Sequence, residues 1–327
     1  MRAIVITRPG GPEVLEQRAV PRPEPGPAEI RVRVAATAVN RADISQRRGR
    51  YPAPPGWPAD IPGLEYSGTV ESRGRDARVW NEGDRVMGLV GGGAYAEYVC
   101  VHEAEAIAVP DGMALEPAAA IPEAFVTAHD ALLTQAALRR GETLLIHGAG
   151  SGVGTAAIQI SRAVGARVIG TARTRWKLER AAALGLDVAI DTSQHDFVFG
   201  VNEATRGLGA DVILDLVGGD YLTGNLRVLA LHGRIMQVGV TAGARAELDM
   251  RTLMSRRGTI RGTVLRARPH PEKVDVTRVF ADFALPLLER GELRPVVDSV
   301  LKLDQAVEAH RRVEANETFG KIVLAVS

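Results

Sequence analysis

Cysteine is almost absent: Cys100 is the only one in 327 residues. A single thiol cannot close an internal disulfide or build a multi-cysteine zinc or iron–sulfur site, so a reducing compartment is the simplest setting. Charge bias is also missing, with 40 Lys and Arg against 39 Asp and Glu, which excludes the broad basic field of a nucleic-acid binder. No stretch of 18 residues is both apolar and uncharged, so a membrane span is not expected. The opening MRAIVITRPGG has one Arg and a four-residue apolar run before Thr7, too short for a signal peptide. Internal repeats and low-complexity runs are lacking. Proline is missing from one long region: 14 of the 18 prolines fall at or before Pro122, and the next is Pro269.

That gap organises the chain, because proline is disfavoured inside helices and central strands alike. At 327 residues the expectation is two domains. Before Pro122 the pattern is strand and loop: Ala3–Ile6 is a short apolar run, Glu29–Val39 alternates polar and β-branched residues, and Gly83–Val90 and Ala94–His102 read the same way. Pro21–Pro27 and Pro52–Pro62 carry four and five prolines and are predicted loops. From Glu123 the period changes. A helix is predicted over Ala124–Leu138, followed by strands at Thr143–His147, Arg167–Gly170, Val188–Ile190, Val212–Leu216, Arg234–Val240 and Ile260–Leu265. Six short apolar strands alternating with helices predict a doubly wound parallel sheet, hence an α/β fold. After Pro269 a helix around Val276–Arg290, a helix from about Gln305 capped by Asp304, and a last strand Lys321–Val326 are expected.

The strongest local signal is LLIHGAGSGVGTAAIQI, Leu144 to Ile160, a strand, a glycine loop and a helix. Gly148, Ala149, Gly150, Ser151, Gly152, Val153 and Gly154 form a loop in which glycines let the backbone approach a pyrophosphate at a helix N-terminus. Alone it reads either as a dinucleotide site or as a plain glycine-rich turn, and the strand–helix repeats after it favour the former. NAD enzymes usually carry a carboxylate for the ribose 2′-hydroxyl at the end of the second strand. Here that place reads Thr171-Ala172-Arg173-Thr174-Arg175-Trp176-Lys177, with no acid before Glu179. Three cations suit a 2′-phosphate, favouring NADPH over NADH; for Arg173 and Arg175 the competing reading is a solvated helix start, and the resemblance described next favours Lys177.

With PGGPEVL at the start, Asn40–Gly56 (NRADISQRRGRYPAPPG), Ile61–Val70 (IPGLEYSGTV), Ala118–Leu132 (AAAIPEAFVTAHDAL), the glycine loop and Phe319–Leu324 (FGKIVL), the whole chain resembles the zinc-independent medium-chain dehydrogenase/reductases. It is most similar to their quinone oxidoreductase branch, which includes zeta-crystallin, and within it to the p53-inducible type. The resemblance implies a GroES-like, β-rich catalytic domain over residues 1–122, a Rossmann NADP-binding domain over 123–265, and a return to the catalytic domain over 266–327. It also implies a cytoplasmic homodimer that reduces quinones or related conjugated carbonyls with NADPH. Zinc relatives carry a Cys, a His and a further Cys where this chain has Asn40, Leu64 and Glu123, a set that cannot form the usual tetrahedron.

By similarity, the candidates that act on the acceptor are Asn40 and Asp43 on the NRAD turn, Tyr51 before the proline loop, Thr127 on the entering helix and Ser151 in the glycine loop. Tyr51 is the favoured donor to the acceptor oxygen, because a phenol hydrogen-bonds without carrying charge at neutral pH; its competing reading is an aromatic packed on neighbouring prolines. Asp43 is read chiefly as a buttress of its loop and Thr127 as a contact to the carboxamide. Ser151 serves either the cofactor or the helix as its N-cap. Further cofactor contacts implied by the family fall at strand ends: Thr171, Val217, Gly239, Val240, Thr263, Val264 and Leu265. Thr192 stands where the p53-inducible type has an aromatic near the adenosine. The resemblance leaves two alternatives open: an enone or enoyl reductase, and a non-catalytic NADPH-binding protein. His147 reads as a buried hydrogen-bonded residue, and Arg256, Arg257, Arg261, Arg266 and Arg268 as a solvated surface or subunit contact.

Overall fold

The computed structural model describes residues 1–326. The chain divides into two compact units, one of Met1–Val126 with Leu265–Ser327 and the other of Thr127–Val264.

The first unit is built on a seven-stranded sheet. Its longest strand, Glu29–Ala38, alternates buried and open positions along EIRVRV, so Ile30, Val32 and Val34 face the core with Tyr66, Val86, Tyr95, Val99 and Val101. That strand pairs antiparallel with Glu65–Arg73 along most of its length, with Tyr98–His102 over its first half and with Lys321–Ala325 over its last residues. Val297–Lys302 lies parallel to Lys321–Ala325 and closes that side. A short helix, Arg41–Arg47, follows the long strand directly. Four strands here were not anticipated: the short Ala106–Ala108, Val297–Lys302, Leu15–Ala19, which pairs with Arg2–Ile6, and Glu65–Arg73, whose Gly68 and mixed polarity hide its period. The expected strand over Ala94–His102 is shorter, Tyr98–His102, because Ala94–Ala96 turns aside, where Ala96 bridges Ala3.

In the second unit six parallel strands stand in the order Val188–Asp191, Arg167–Ala172, Thr143–His147, Ala210–Asp215, Leu229–Gln237, Thr259–Gly262. This is the doubly wound sheet expected from the apolar runs. Leu145, Ile169, Ile213 and Ile235 are fully buried at its centre, as a sheet covered on both faces requires. The strand order reverses between Thr143–His147 and Ala210–Asp215, where such sheets open a crevice for ligands.

The helix expected over Ala124–Leu138 differs in kind. Pro122–Val126 and Asp130–Gln135 are π-helical around an α-helical Thr127–His129. Its side chains from Ala124 to Leu132 are all buried, so no one-sided apolar stripe marks its winding in the sequence. The late helix begins earlier than expected, at His270, and runs to Glu289 with Pro286 inside it. Ala306–Glu314 is preceded by a 3₁₀ turn, Leu303–Gln305, in which the Gln305 side chain, not Asp304, accepts from the Lys302 N–H at 2.9 Å.

Candidate active site

In the second unit the strand Thr143–His147 runs into Gly148, whose φ of +80° is open to glycine without strain. The N–H groups of Gly148 and Ala149 donate to the carbonyl of Thr171, at 3.1 and 3.0 Å, and so fix the loop to the next strand. Ser151 is the N-cap of the helix Gly152–Val164, its Oγ accepting from the Gly154 N–H at 3.0 Å. A methyl group at Gly154 would lie 2.3 Å from the Gly148 carbonyl oxygen, so the third glycine sets how closely helix and loop approach. The N–H groups of Gly152 and Val153, in the first turn, have no intrahelical acceptor and form the positive end of the helix dipole.

Lys177 lies along this loop. A methyl group added to Gly150 would sit 3.0 to 3.3 Å from the Lys177 Cδ, Cβ and Cγ. Arg173 and Arg175 are exposed, and Arg175 pairs with Glu179 one helical turn on at 3.0 Å. Thr171 is buried: its hydroxyl meets His147 Nδ1 at 3.0 Å, leaving its carbonyl to hold the glycine loop. His147 Nε2 meets Asn225 Oδ1 at 2.7 Å, and Asn225 donates to Asp215 at 2.9 Å. The other oxygen of Asp215 accepts from the Val217 and Gly218 N–H groups at 2.7 and 2.8 Å, holding the fourth strand's end in a turn. Burial pushes the His147 imidazole below its ordinary range, so it is neutral. Gly239 packs on Leu216, Val240 and Val264 are exposed, and Thr263 Oγ1 accepts from Gln135 at 2.7 Å. Thr192 is half-buried, its N–H on the Ala172 carbonyl at 2.9 Å, and Thr127 is buried. These residues fit a dinucleotide, with backbone donors and the helix end for phosphate and the stem of Lys177 alongside the loop.

In the first unit Asn40 caps the helix Arg41–Arg47, and Asp43 accepts from the Asn40 N–H at 2.8 Å in a capping box. Asp43 also accepts from the Gly63 N–H at 3.0 Å and lies 3.4 Å from the Tyr95 hydroxyl. Fully buried, its carboxyl is pushed up to about 6 by loss of water, against the pull of those N–H groups. Behind it Tyr95 meets His310 Nε2 at 3.1 Å, and His310 Nδ1 lies 3.2 Å from the Arg47 guanidinium. Arginine only donates, so Nδ1 accepts and the neutral ring carries its proton on Nε2. Burial lowers this imidazole to about 3, consistent with that neutral form.

Asn40's side chain joins a second cluster. Its Nδ2 donates to Glu65 at 2.8 Å, and its Oδ1 accepts from Lys321 Nζ at 2.5 Å. Lys321 also pairs with Glu65 at 2.7 Å, and the other Glu65 oxygen accepts from the Glu123 N–H at 2.8 Å. Glu65 and Lys321 are both buried. Neither was singled out from the sequence; the available signal was a lysine opening the apolar strand KIVLA. This arrangement does not fit zinc. Leu64 offers no donor, and Asn40's oxygen is already held by an ammonium group. Among the described residues no group of three or more His, Cys, Asp or Glu is placed to hold a metal ion.

Tyr51 is half-buried, and its phenol is raised by lost solvation and by the negative charge of Glu123, so it is neutral. Arg266 corrects the expectation of a solvated arginine cluster. It is buried, donating to the carbonyls of Gly91 (2.7 Å) and Tyr51 (3.1 Å) and to Gln46 Oε1 (2.6 Å), with its guanidinium 5.1 Å from the Tyr51 ring centre. Gly91 has no room for a side chain because the Trp57 ring of the proline loop lies against it. Leu265 falls in this unit and lines a small cavity with Arg266 and Glu123.

The chain matches two family models, the alcohol dehydrogenase GroES-like domain over residues 26–111 and the zinc-binding dehydrogenase over 152–281. It is 35% identical over 319 residues to a quinone oxidoreductase of Pseudomonas aeruginosa, covering 96% of each chain. It is similar to the crystal structure of Escherichia coli quinone oxidoreductase complexed with NADPH, at a TM-score of 0.91 and 27% identity over the whole of both chains. An NAD-dependent alcohol dehydrogenase structure gives a TM-score of 0.90 and 37% identity, again over the whole of both. Among the described residues no helix is long and apolar enough to cross a membrane. A GroES-like fold, a doubly wound sheet with a glycine loop, and a curated quinone oxidoreductase matched over 96% of both chains place this chain in the quinone oxidoreductase branch of the medium-chain dehydrogenase/reductases, the zeta-crystallin-like oxidoreductases.

Proposed function

We propose that the protein is an NADPH:quinone oxidoreductase that works without a metal, with Thr127–Val264 binding the cofactor and the first unit handling the acceptor. The observation that carries this reading is the pairing of two features: a glycine loop flanked by Lys177 with no carboxylate at the end of Arg167–Ala172, and an acceptor region whose would-be ligand positions are Asn40, Leu64 and Glu123. The first favours a 2′-phosphate, which is why NADPH is preferred here despite the NAD-dependent relative. The second leaves no Lewis acid to ionise an alcohol, so the acceptor must already be electron-poor.

Bound NADPH supplies a hydride from C4 of its nicotinamide. Gly148, Ala149, Gly150, Gly152, Val153 and Gly154 present backbone to its pyrophosphate, while Arg173, Arg175 and Lys177 surround the adenosine end with Thr192. Val217, Gly239, Val240, Thr263 and Val264 stand at the strand ends where such sheets hold the rest of the dinucleotide. Tyr51 donates a hydrogen bond to the acceptor oxygen as negative charge develops there. Asp43 and Asn40 hold the loop that carries the site.

A homodimer is supported by the open edge of the sheet. Thr259–Gly262 pairs on one side only, with Arg234–Gln237, and Met250, Met254, Leu248 and Leu231 of the same unit are exposed. Such an edge pairs readily with its own copy about a two-fold axis.

The test is NADPH oxidation followed at 340 nm against ortho- and para-quinones, an enone and a primary alcohol, with NADH and a chelator as controls. Chelator-insensitive quinone turnover that prefers NADPH is expected. Turnover of the alcohol, or loss of activity on chelation, would refute the metal-free reading. Preference for the enone would move the assignment to a C=C reductase, which uses the same hydride delivery.

A further inference from the structure

Two-electron reduction of a quinone needs a proton as well as a hydride. Hydride addition carries both electrons and leaves the hydroquinone as its monoanion, and an acid must then protonate that oxygen. Tyr51 suits hydrogen bonding better than transfer, since its surroundings raise the phenol above its ordinary value and an efficient acid titrates near the working pH.

Beside Tyr51 stands a group that the hydride step does not use. Glu123 follows Pro122 in the first π-helical turn, with its backbone N–H fixed on Glu65 at 2.8 Å. The Tyr51 phenol senses its charge, and Arg266, laid over the Tyr51 ring, lines the same cavity as Glu123. That cavity has about 20 Å³ open to water centres, room for a water molecule and too little for a quinone. Its polar lining is Glu123, Arg266, Glu105, Lys273 and Thr277, enough partners to hold such a water. On its far side Glu105, buried, pairs with His270 Nδ1 at 2.6 Å; the His270 side chain is 46% exposed and reaches solvent.

We propose that Glu123 is the acid that protonates the reduced acceptor, and that it regains its proton from solvent by way of His270 and then Glu105, across the cavity that Glu105 and Glu123 both line. This rests on the quinone reductase reading. The Glu123 O–H bond breaks as the hydroquinone O–H forms; the resulting carboxylate then takes a proton from the cavity side. The electrostatics agree. Glu123 is raised to about 8, chiefly by burial and next by the Glu65 carboxylate, with Asp43 adding to the rise and Lys321 and Arg266 opposing it. Of the other charged groups on the elements packed against it, Lys273 stands in the cavity wall and Arg85 turns to the Met113 carbonyl, while Glu71 is taken up by Arg22 and Arg31, Arg73 by the Trp80 carbonyl, Arg278 by Asp275 and Asp282, and Glu272 and Glu289 are exposed.

Glu123→Gln keeps size and polarity but has no acidic proton. It should lower kcat for quinone by roughly 10²-fold or more while leaving the Kd for NADPH within about twofold. The wild-type profile should fall above about pH 8, and the variant's should lack that limb. Glu105→Gln and His270→Asn should slow turnover at high pH and recover when imidazole is added at constant pH. Independently of any cofactor, the infrared difference between the wild-type chain and Glu123→Gln should contain a carboxylic C=O band at pH 7 that bleaches through about pH 8. Wild-type kcat and an unchanged alkaline limb in Glu123→Gln, or no such band at pH 7, would overturn the proposal. Rescue-insensitive Glu105 and His270 variants would overturn the refilling route. A chain that shows the band but reduces no quinone would instead refute the reading on which the proposal stands.

Discussion

Tyr51→Phe removes one oxygen and leaves the ring under the Arg266 guanidinium, so it isolates the hydrogen bond from the packing. Its kcat should fall on the order of 10²-fold with NADPH affinity nearly intact, and stopped-flow measurement of the hydride step would check it; unchanged turnover removes the donor role. Lys177→Ala should weaken NADPH by about tenfold to a hundredfold, the scale of a lost charge-assisted hydrogen bond, and NADH far less. Equal loss for both cofactors, measured by titrating the dinucleotide fluorescence, would refute the 2′-phosphate assignment. Tyr51 came into view through the family resemblance, and Lys177 also as one of three cations after a strand that ends without an acid. Arg266 and Lys321 were not legible in this way. Arg266 sits among four other arginines in sequence, and only the fold shows it turned onto Gly91, Tyr51 and Gln46. Lys321 gains its meaning from Glu65 and Asn40, more than 250 positions away.

The turn from Thr143–His147 into Gly152–Val164 answers to backbone space. Gly154→Ala should unseat it, because the added carbon would meet the Gly148 carbonyl at 2.3 Å; lost dinucleotide binding together with a lowered Tm is expected, and an alanine variant with wild-type Kd and Tm would refute that packing. Gly150→Ala presses instead on Lys177, so its effect should overlap with Lys177→Ala, and in the double variant the losses should not add. Apolar runs with glycine stops marked the parallel strands well, since strands buried on both faces must be apolar throughout. Pattern failed where burial surrounds a segment. Pro122–Gln135 has no polar side to set its phase, so its π-helical turns were invisible. Phe197–Thr205, Tyr221–Val228 and Met250–Arg256 are short helices, too brief for a clear period.

For the molecule as a whole, two carboxyls that the fold raises, Asp43 fully buried and Glu123 half-buried, set a pH dependence of stability. Asp43 and Glu123 are raised to about 6 and about 8, whereas the unfolded chain leaves carboxyls near their ordinary values. The folded state therefore holds protons that the unfolded state has released, and stability declines as pH rises from about 4 through 8. The Tm of the wild type should fall relative to Glu123→Gln between pH 6 and 9; parallel curves by differential scanning calorimetry would contradict it. Assembly belongs to this scale as well: Met250→Glu with Met254→Glu should shift a dimer to monomers in analytical ultracentrifugation. The first unit is closed by Lys321–Ala325, paired with both Ala36–Ala38 and Val297–Lys302. During synthesis Glu65 therefore waits without its ammonium partner until Lys321 leaves the ribosome, whereas Thr127–Val264 is one uninterrupted segment that can fold as it emerges. A ribosome stalled shortly before Lys321 would carry a finished nucleotide-binding fold beside a first unit whose central sheet still lacks the strand joining Ala36–Ala38 to Val297–Lys302.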